Sequence, residues 1–459
     1  MSLGPSRAVA VAIFVAPVSP LVVQPALAAA ALSLAAAPLA TADAPPVFRY
    51  IVQPGDTLIG IGTRGLVRPR DWQLVAARNR VADPRRLPVG KQLVIASALL
   101  RREPVTATVA AFSGQVTITP ASVAKVGATI ASVAKVGAVA GAGTVLATGA
   151  NSFVTLALAD GSRVTLPSQS QFRVAVLERI VLDGRLERRF DLVGGRADFA
   201  VTPREREADR FLVRTPVAVA AVRGTEFRVA HGAATSTIGV VEGSVAGRPA
   251  NGRDDTAIPA GSGGVLQQDA IRSVGLLPAP ALRDPGKVQD DPAVVLAIAP
   301  GAGSRRRVQL ARDAGAIDIF AEADTDGNDV SFAGVGNGTL YARVTAIDAD
   351  GVEGLAATYE FERFLSGLAT EAGALPGRPR RTRFRWQPSG EGSRSYDFVL
   401  GRDAALADRL IDAPALAGTE MTVSGLAPGT WYWRVTVTAR DRGKRHVRVF
   451  PVQTLTIAR

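Results

Sequence analysis

From residue 105 to its end the chain is a succession of short runs in which apolar and polar residues alternate, closed by glycine, proline or an Asp-Gly pair. No stretch there sustains the apolar spacing of a helix, so its hydrophobic faces must be buried as sheets. Between 105 and 273 the runs include residues 115–118, 153–158, 163–166, 172–174, 190–193, 211–213, 226–229 and 237–241, with a hairpin signal at Asp160-Gly161. That spacing predicts a sandwich, a jelly roll or a solenoid-like stack. Residues 274–292 hold four prolines and no period, which predicts a semi-rigid linker. Beyond them two segments align at an offset of 90 to 91 residues: 308–313 with 398–403, and 338–345 with 429–436. In the second copy Trp431, Trp433, Val435 and Val437 alternate with Tyr432, Arg434, Thr436 and Thr438, so the first set faces inward. Leu340, Ala342, Val344 and Ala346 take the same places in the first copy. Two repeated β units are predicted, over 293–364 and 378–457, and the fold class is mainly β and multidomain.

Composition narrows function. The hydrophobic fraction is 47% with only 5% aromatic, so alanine and valine must fill much of the cores. With no cysteine there is no disulfide, thiolate nucleophile, zinc finger or iron–sulfur cluster. Two histidines, His231 and His446, leave most zinc and triad chemistry without ligands or a base. The 53 basic residues exceed the 41 acidic ones, giving +12, but the arginines are dispersed. Short clusters at 305–307 and 378–383 read as solvated linker faces, which disfavours nucleic acid as a partner.

Residues 8–42 are almost wholly apolar behind Arg7, the pattern of an export leader. Ala26-Leu27-Ala28 and Ala40-Thr41-Ala42 both offer a small-residue cleavage site. The alternative is an uncleaved membrane helix, which four prolines at 17, 20, 25 and 38 would break. The expectation is a leader over 1–42, no membrane span after cleavage, and a periplasmic or envelope location.

Residues 48–97 carry the most specific motif. Tyr50-Ile51-Val52 reads as a strand, and Pro54-Gly55-Asp56 turns it, with Asp56 or Thr57 placed to cap a helix. A second helical piece over 70–79 offers Trp72, Leu74 and Val75, and 92–95 is a closing strand. This βααβ pattern resembles the LysM domain: Y-x-V-x-x-G-D-T-L opens it, Asn79 ends its second helix, and D-P-x-x-L-x-x-G-x-x-L-x-I closes it. The resemblance implies non-catalytic binding of N-acetylglucosamine-containing glycan, chiefly peptidoglycan. By position the implied glycan-binding residues are Gly55, Asp56, Thr57, Leu58, Asp83, Pro84, Arg86 and Leu87. Gly60, Gly62 and Gly65 fall in the first helix, where each costs up to ~1 kcal/mol relative to alanine, so a short or frayed helix is expected.

The run RTPVAVAAVRGTEF over 214–227, followed by Val241-Glu242-Gly243-Ser244-Val245, resembles the periplasmic FecR domain. Ser113-Gly114-Gln115-Val116, Asp160-Gly161-Ser162 and Leu192-Val193-Gly194-Gly195-Arg196 agree with it. What the resemblance implies is an all-β fold and an extracytoplasmic protein-interaction role. Each C-terminal unit resembles a fibronectin type III or similar immunoglobulin-like sandwich, a module used as spacer or protein-binding surface. Trp386 stands on an early strand of the second copy, and the first copy has no counterpart.

Three patterns are weaker. The segment ASVAKVGA at 121–128 recurs at 131–138, and each copy holds an S-x-x-K pair, but S-D-N and K-T-G are absent, so a duplicated loop or strand insertion is expected. Asp324 to Asp329 resembles a calcium loop with its glycine misplaced and no closing glutamate. Gly334 to Gly338 precedes a strand rather than a helix, unlike a nucleotide fingerprint. The expectation is therefore a non-enzymatic envelope protein without a cofactor. It would dock on peptidoglycan glycan chains and present its β modules to an envelope protein whose identity the sequence does not give. The alternative is an extracytoplasmic signalling adaptor working through the FecR-like part.

Overall fold

A two-glycine step organises the largest part of the chain. Strand Leu186–Ala200 buries Leu186, Phe190 and Leu192, then Ala197 and Phe199. Inward positions change from even to odd at Gly194-Gly195, and a period-two element can do that only by breaking register. Gly195 has a φ of +83°, and a Cβ there would lie 2.4 Å from the Gln169 carbonyl oxygen. The first part of the strand pairs with Gln171–Ile180 and Arg210–Arg214, the second with Glu226–His231 and Arg163–Leu166. One strand thus belongs to two sheets. The computed structural model describes residues 47–121, 132–203, 210–222, 224–232, 234–377 and 380–458; the expected leader lies outside them.

After the shared strand the chain visits the two sheets two strands at a time. Arg210–Arg214 pairs with Ala218–Val222, Glu226–His231 with Ser236–Glu242, Ser244–Pro249 with Thr256–Pro259, and Ser262–Leu266 with Ile271–Gly275. The result is a sandwich. Strand Arg102–Pro104 already pairs with Gln171–Ile180, so this sandwich begins ahead of the expected residue 105. Its core is built around Phe172, Phe190, Phe199, Phe211 and Phe227. The second ASVAKVGA copy contributes strand Ser132–Val133, paired with Val116–Thr119, as expected of a strand insertion. Most of the first copy lies outside the described residues.

Residues 47–96 fold as β1 (Val47–Ile51), α1 (Leu58–Gly65), α2 (Trp72–Arg78) and β2 (Gln92–Ala96), with the strands antiparallel. Thr57 caps α1 by accepting a hydrogen bond from the Gly60 amide at 3.0 Å. The α1 glycines do not fray the helix; they let neighbours approach. A Cβ at Gly62 would stand 2.4 Å from the Pro69 carbonyl oxygen, and one at Gly65 2.6 Å from the Leu182 side chain of the large sandwich. Asn79 acts as a strand partner: its side chain donates to the Val75 and Val94 carbonyls and accepts from the Val94 amide. Leu74 is not a core position but 57% exposed, because the seven-residue α2 turns only Val75 fully inward.

The internal repeat is a repeat of register. Strand Arg305–Ala311 pairs with Gly338–Ile347 so that Leu310 faces Ala342; Ser393–Gly401 pairs with Gly429–Asp441 so that Leu400 faces Trp433. Each copy is a two-sheet sandwich: the second sets Gly367–Leu375, Arg381–Ser389 and Glu420–Ser424 against a sheet containing Arg409–Leu416 and Lys444–Val449. It therefore starts at Gly367 rather than 378, since Gly367–Leu375 pairs along its length with Arg381–Ser389.

Residues 274–292 are not a free linker. Leu282 bridges Ile298 and Gln289 bridges Arg363, so the segment runs along the first C-terminal sandwich as an edge strap. The buried Arg363 guanidinium donates to the Gln289, Asp291 and Pro292 carbonyls, satisfying acceptors of the strap backbone. Arg305 to Arg307 likewise belong to a strand, and Arg307 is fully buried.

Candidate functional site

The two loops of the small module meet: the Leu58 amide donates to the Pro84 carbonyl at 2.8 Å. This brings the eight expected glycan-binding residues into one region but not into one role. Asp56 is buried, and its carboxylate accepts from the Tyr50 hydroxyl at 2.6 Å, the Gln53 amide at 2.8 Å and Arg64 at 2.5 Å. Leu58 is fully buried in the module core, and Leu87 packs against it. Gly55, Asp83 and Arg86 are exposed, with Thr57 and Pro84 half-buried. Asp56 and Leu58 shape the loops, and a ligand could meet only the others.

Burial pushes the Asp56 carboxyl up, but hydrogen bonds from Tyr50, Gln53 and Arg64 together hold it below its ordinary value. Burial and the bond to Asp56 push the Tyr50 hydroxyl up to about 12. Asp56→Asn should therefore destabilise this module by about 2 kcal/mol, the scale of a lost charge-assisted hydrogen bond. The contribution is present above the unfolded carboxylate pKa and is lost as pH falls through the lower folded value. Hydrogen exchange of β1 and β2 in denaturant should show the wild type and variant converging toward acid pH; a pH-independent difference would contradict the account.

A second region lies where the large sandwich meets the first C-terminal one. Strand Arg305–Ala311 is buried on both faces: Val308 and Leu310 fill its own core, while Arg307 and Gln309 point toward the large sandwich. Arg307 donates to Glu322 at 2.5 Å and Glu353 at 2.8 Å. Arg343 donates to Asp198 of the large sandwich at 2.9 Å, and Arg228 of that sandwich donates to the Gly354 carbonyl. Burial would raise the Glu353 carboxyl, but Arg307, Arg228 and Arg343 hold it far below the usual range. Burial likewise works against the charged Arg307, yet Glu353 and Glu322 push its pKa up. Thr155 and Phe153 extend the contact, the first donating to the Ile317 carbonyl at 2.8 Å, the second packing with Ala311, Ala316 and Ile319.

Beside this network opens a cleft of about 530 Å³. Arg163, Asp198, Ala200, Glu226 and Arg228 line it from one side, Ile317, Arg343 and Ala356 from the other. Sequence reading missed it because its members lie far apart in the chain and looked like solvated arginines. The available signal was the direct run of the arginines at 305–307 into Val308, Leu310 and Ala311 of one strand.

The FecR protein family model matches residues 144–246. Residues 144–246 form a FecR domain. Its motif residues are largely structural: Thr215 meets Ser236 at 2.7 Å, Ser236 meets His231 at 3.0 Å, and a Cβ at Gly243 would strike Thr225. Among solved structures, a putative anti-sigma factor from Parabacteroides distasonis is 19% identical over 28% of this chain and 59% of its own, with a TM-score of 0.24. The chain thus spans 59% of that protein's length. A two-domain fibronectin type III segment of chicken tenascin is 10% identical over 40% of this chain and 99% of its own, with a TM-score of 0.21. The FN1–FN3 domains of chicken CNTN1 are 9% identical over 53% and 95%, with a TM-score of 0.18. No curated protein matches the chain.

The remaining candidates form no site of their own. His231 sits in the FecR domain, while His446 reaches Asp290 of the strap at 2.9 Å. Asp324 of the calcium-like segment pairs with Arg196 and Arg305 at 3.6 and 3.5 Å. Among the described residues no helix is long and apolar enough to cross a membrane.

Proposed function

We propose that this chain is a non-catalytic extracytoplasmic adaptor whose FecR domain binds an envelope protein partner and passes on its state. The observation that carries this reading is the FecR match over 144–246. The buried ion network supports it, because a domain clamped to its neighbour can transmit a partner's binding as one rigid piece. Photo-crosslinking in cells from exposed FecR positions such as Val193 and Ser244 tests it. A discrete protein adduct from these positions is expected; crosslinks only from the small module would reject the reading.

A second reading, glycan docking by residues 48–97, is favoured by the Leu58–Pro84 bond that brings the two loops together. In it Gly55, Thr57, Asp83, Pro84 and Arg86 form the contact surface of a LysM-like module. Deleting the module would expose Ile180 and Leu182 of the large sandwich, which share its core, so surface changes are the better probe. Asp83→Lys with Arg86→Glu should reduce co-sedimentation with purified sacculi several-fold while leaving the melting transition in place. Unchanged sedimentation would remove peptidoglycan as a partner of these loops.

A further inference from the structure

We propose that the small module docks on the anionic phospholipid surface of a membrane through the outer face of α2 and the turn that leads into it. The turn Pro69–Asp71 runs directly into α2. Val75 is buried on the inner side, which leaves Arg70, Leu74 and Arg78, spaced by four, exposed on one outer face. Val67 and Arg68 before the turn and Arg80 after the helix are exposed as well. Val67 is 61% exposed and Leu74 57%, so two large aliphatic side chains stand in water among four arginines. Among the described residues the module's ion pair joins Asp56 to Arg64, and these four arginines have no acidic partner. Half-buried Asp71 is the one acid between residues 67 and 82.

Charge complementarity names the partner's sign. Residues 47–96 hold nine basic and three acidic residues, half of the chain's net charge of +12, so the module is drawn toward an anionic surface. Arginines alone would fit any polyanion, and the exposed aliphatic groups decide for a bilayer. An apolar side chain gains by entering the boundary between head groups and acyl chains, while guanidinium groups beside it pair with phosphates. A dissolved polyanion offers Val67 and Leu74 nothing comparable. Each basic residue held near an anionic leaflet strengthens binding about fivefold, so four of them suffice for reversible attachment. The face uses none of the residues expected to meet glycan.

The proposal goes beyond both readings of function and fails separately from them, since vesicle binding, protein crosslinks and sacculus sedimentation are measured independently. The chain from Asp43 onward keeps every described residue and drops the expected leader, whose apolar run would itself seek lipid. Its co-sedimentation would compare vesicles of phosphatidylglycerol and phosphatidylcholine in equal parts with vesicles of phosphatidylcholine alone. The mixed vesicles should bind at least about tenfold more tightly, and high salt should remove most of that difference. Arg70→Gln with Arg78→Gln should weaken binding to them about twentyfold. Leu74→Ser, which leaves the charge unchanged, should weaken it about fivefold. All three positions are exposed, so the melting transition should stay in place. No binding, equal binding to both vesicles, or full affinity in the double glutamine variant would overturn the proposal. A loss in that variant with none in Leu74→Ser would mark a soluble polyanion as the partner and overturn it too.

Discussion

Glu353→Gln should cost about 3–5 kcal/mol of unfolding free energy, the range for removing one partner from a buried ion pair. The glutamine fills the same volume, so the loss reports charge rather than packing. Arg307 is fully buried and Arg228 almost so, and Glu353 is the carboxylate that offsets both. Taking its charge away leaves guanidinium groups in a site where burial already disfavours them. A second signature separates this from a general weakening. Because the folded carboxyl of Glu353 is held low, its contribution exists above the unfolded pKa and disappears as pH falls through the folded one. The difference between wild type and variant should therefore shrink on acidification. Adding Arg307→Met should cost less than the sum of the two single changes, since it removes the charge that the first change stranded. Hydrogen exchange should rise together in Glu226–His231 and Arg305–Ala311, the strands clamped from opposite sides. A loss below about 1 kcal/mol, or additive effects, would show that the network does not hold the two sandwiches together.

How much of this was legible in the sequence follows from what each signal measures. Period-two alternation located most strands, and a 90-residue offset found the two sandwiches, because both properties are local. The Tyr50, Asp56 and Asn79 pattern placed a strand–helix–helix–strand module correctly for the same reason. What it could not tell is which motif residues face outward: Asp56 and Leu58 are among the most recognisable residues of their loop because the loop is built on them. Interfaces between modules were invisible. Gly65 looked like a helix defect until Leu182, more than a hundred residues later, occupied the space beside it. Arg305 to Arg307 looked solvated because a charge cluster beside prolines usually is, whereas Glu322 and Glu353 from two other strands pair with the buried Arg307. The strap at 274–292 lacks any period because its backbone is satisfied by side chains such as Arg363 rather than by a regular ladder.

Phe199→Ala should be the most damaging single truncation in the FecR domain, at about 3–5 kcal/mol. Phe199 is 1% exposed and lies where the shared strand has crossed into the second sheet. Its ring stacks on Phe227 at 4.7 Å between centroids and meets Phe211 edge-on at 5.8 Å, with Phe172 and Phe190 at 6.2 and 6.4 Å. Phe190 comes from the same strand but from the other sheet, so the ring contacts bridge the two layers. Truncation opens a cavity bounded by rigid rings on every side, and such a site cannot collapse cheaply. Aromatic pairs add about 0.5–1.5 kcal/mol each beyond the area they bury, which makes the centre of the cluster worse to lose than its edge. Phe199→Leu should recover part of the loss by refilling volume without restoring the stacking. The wild-type cluster contains no tryptophan, so the measurement is hydrogen exchange and denaturant unfolding by circular dichroism. Protection should fall in Phe153–Leu158 and Ser236–Glu242 of the same core while Ser393–Gly401 of the second C-terminal sandwich keeps its own. If exchange instead rose equally in all three strands, the modules would unfold as one unit and the phenylalanine cluster would not be the separate core described here.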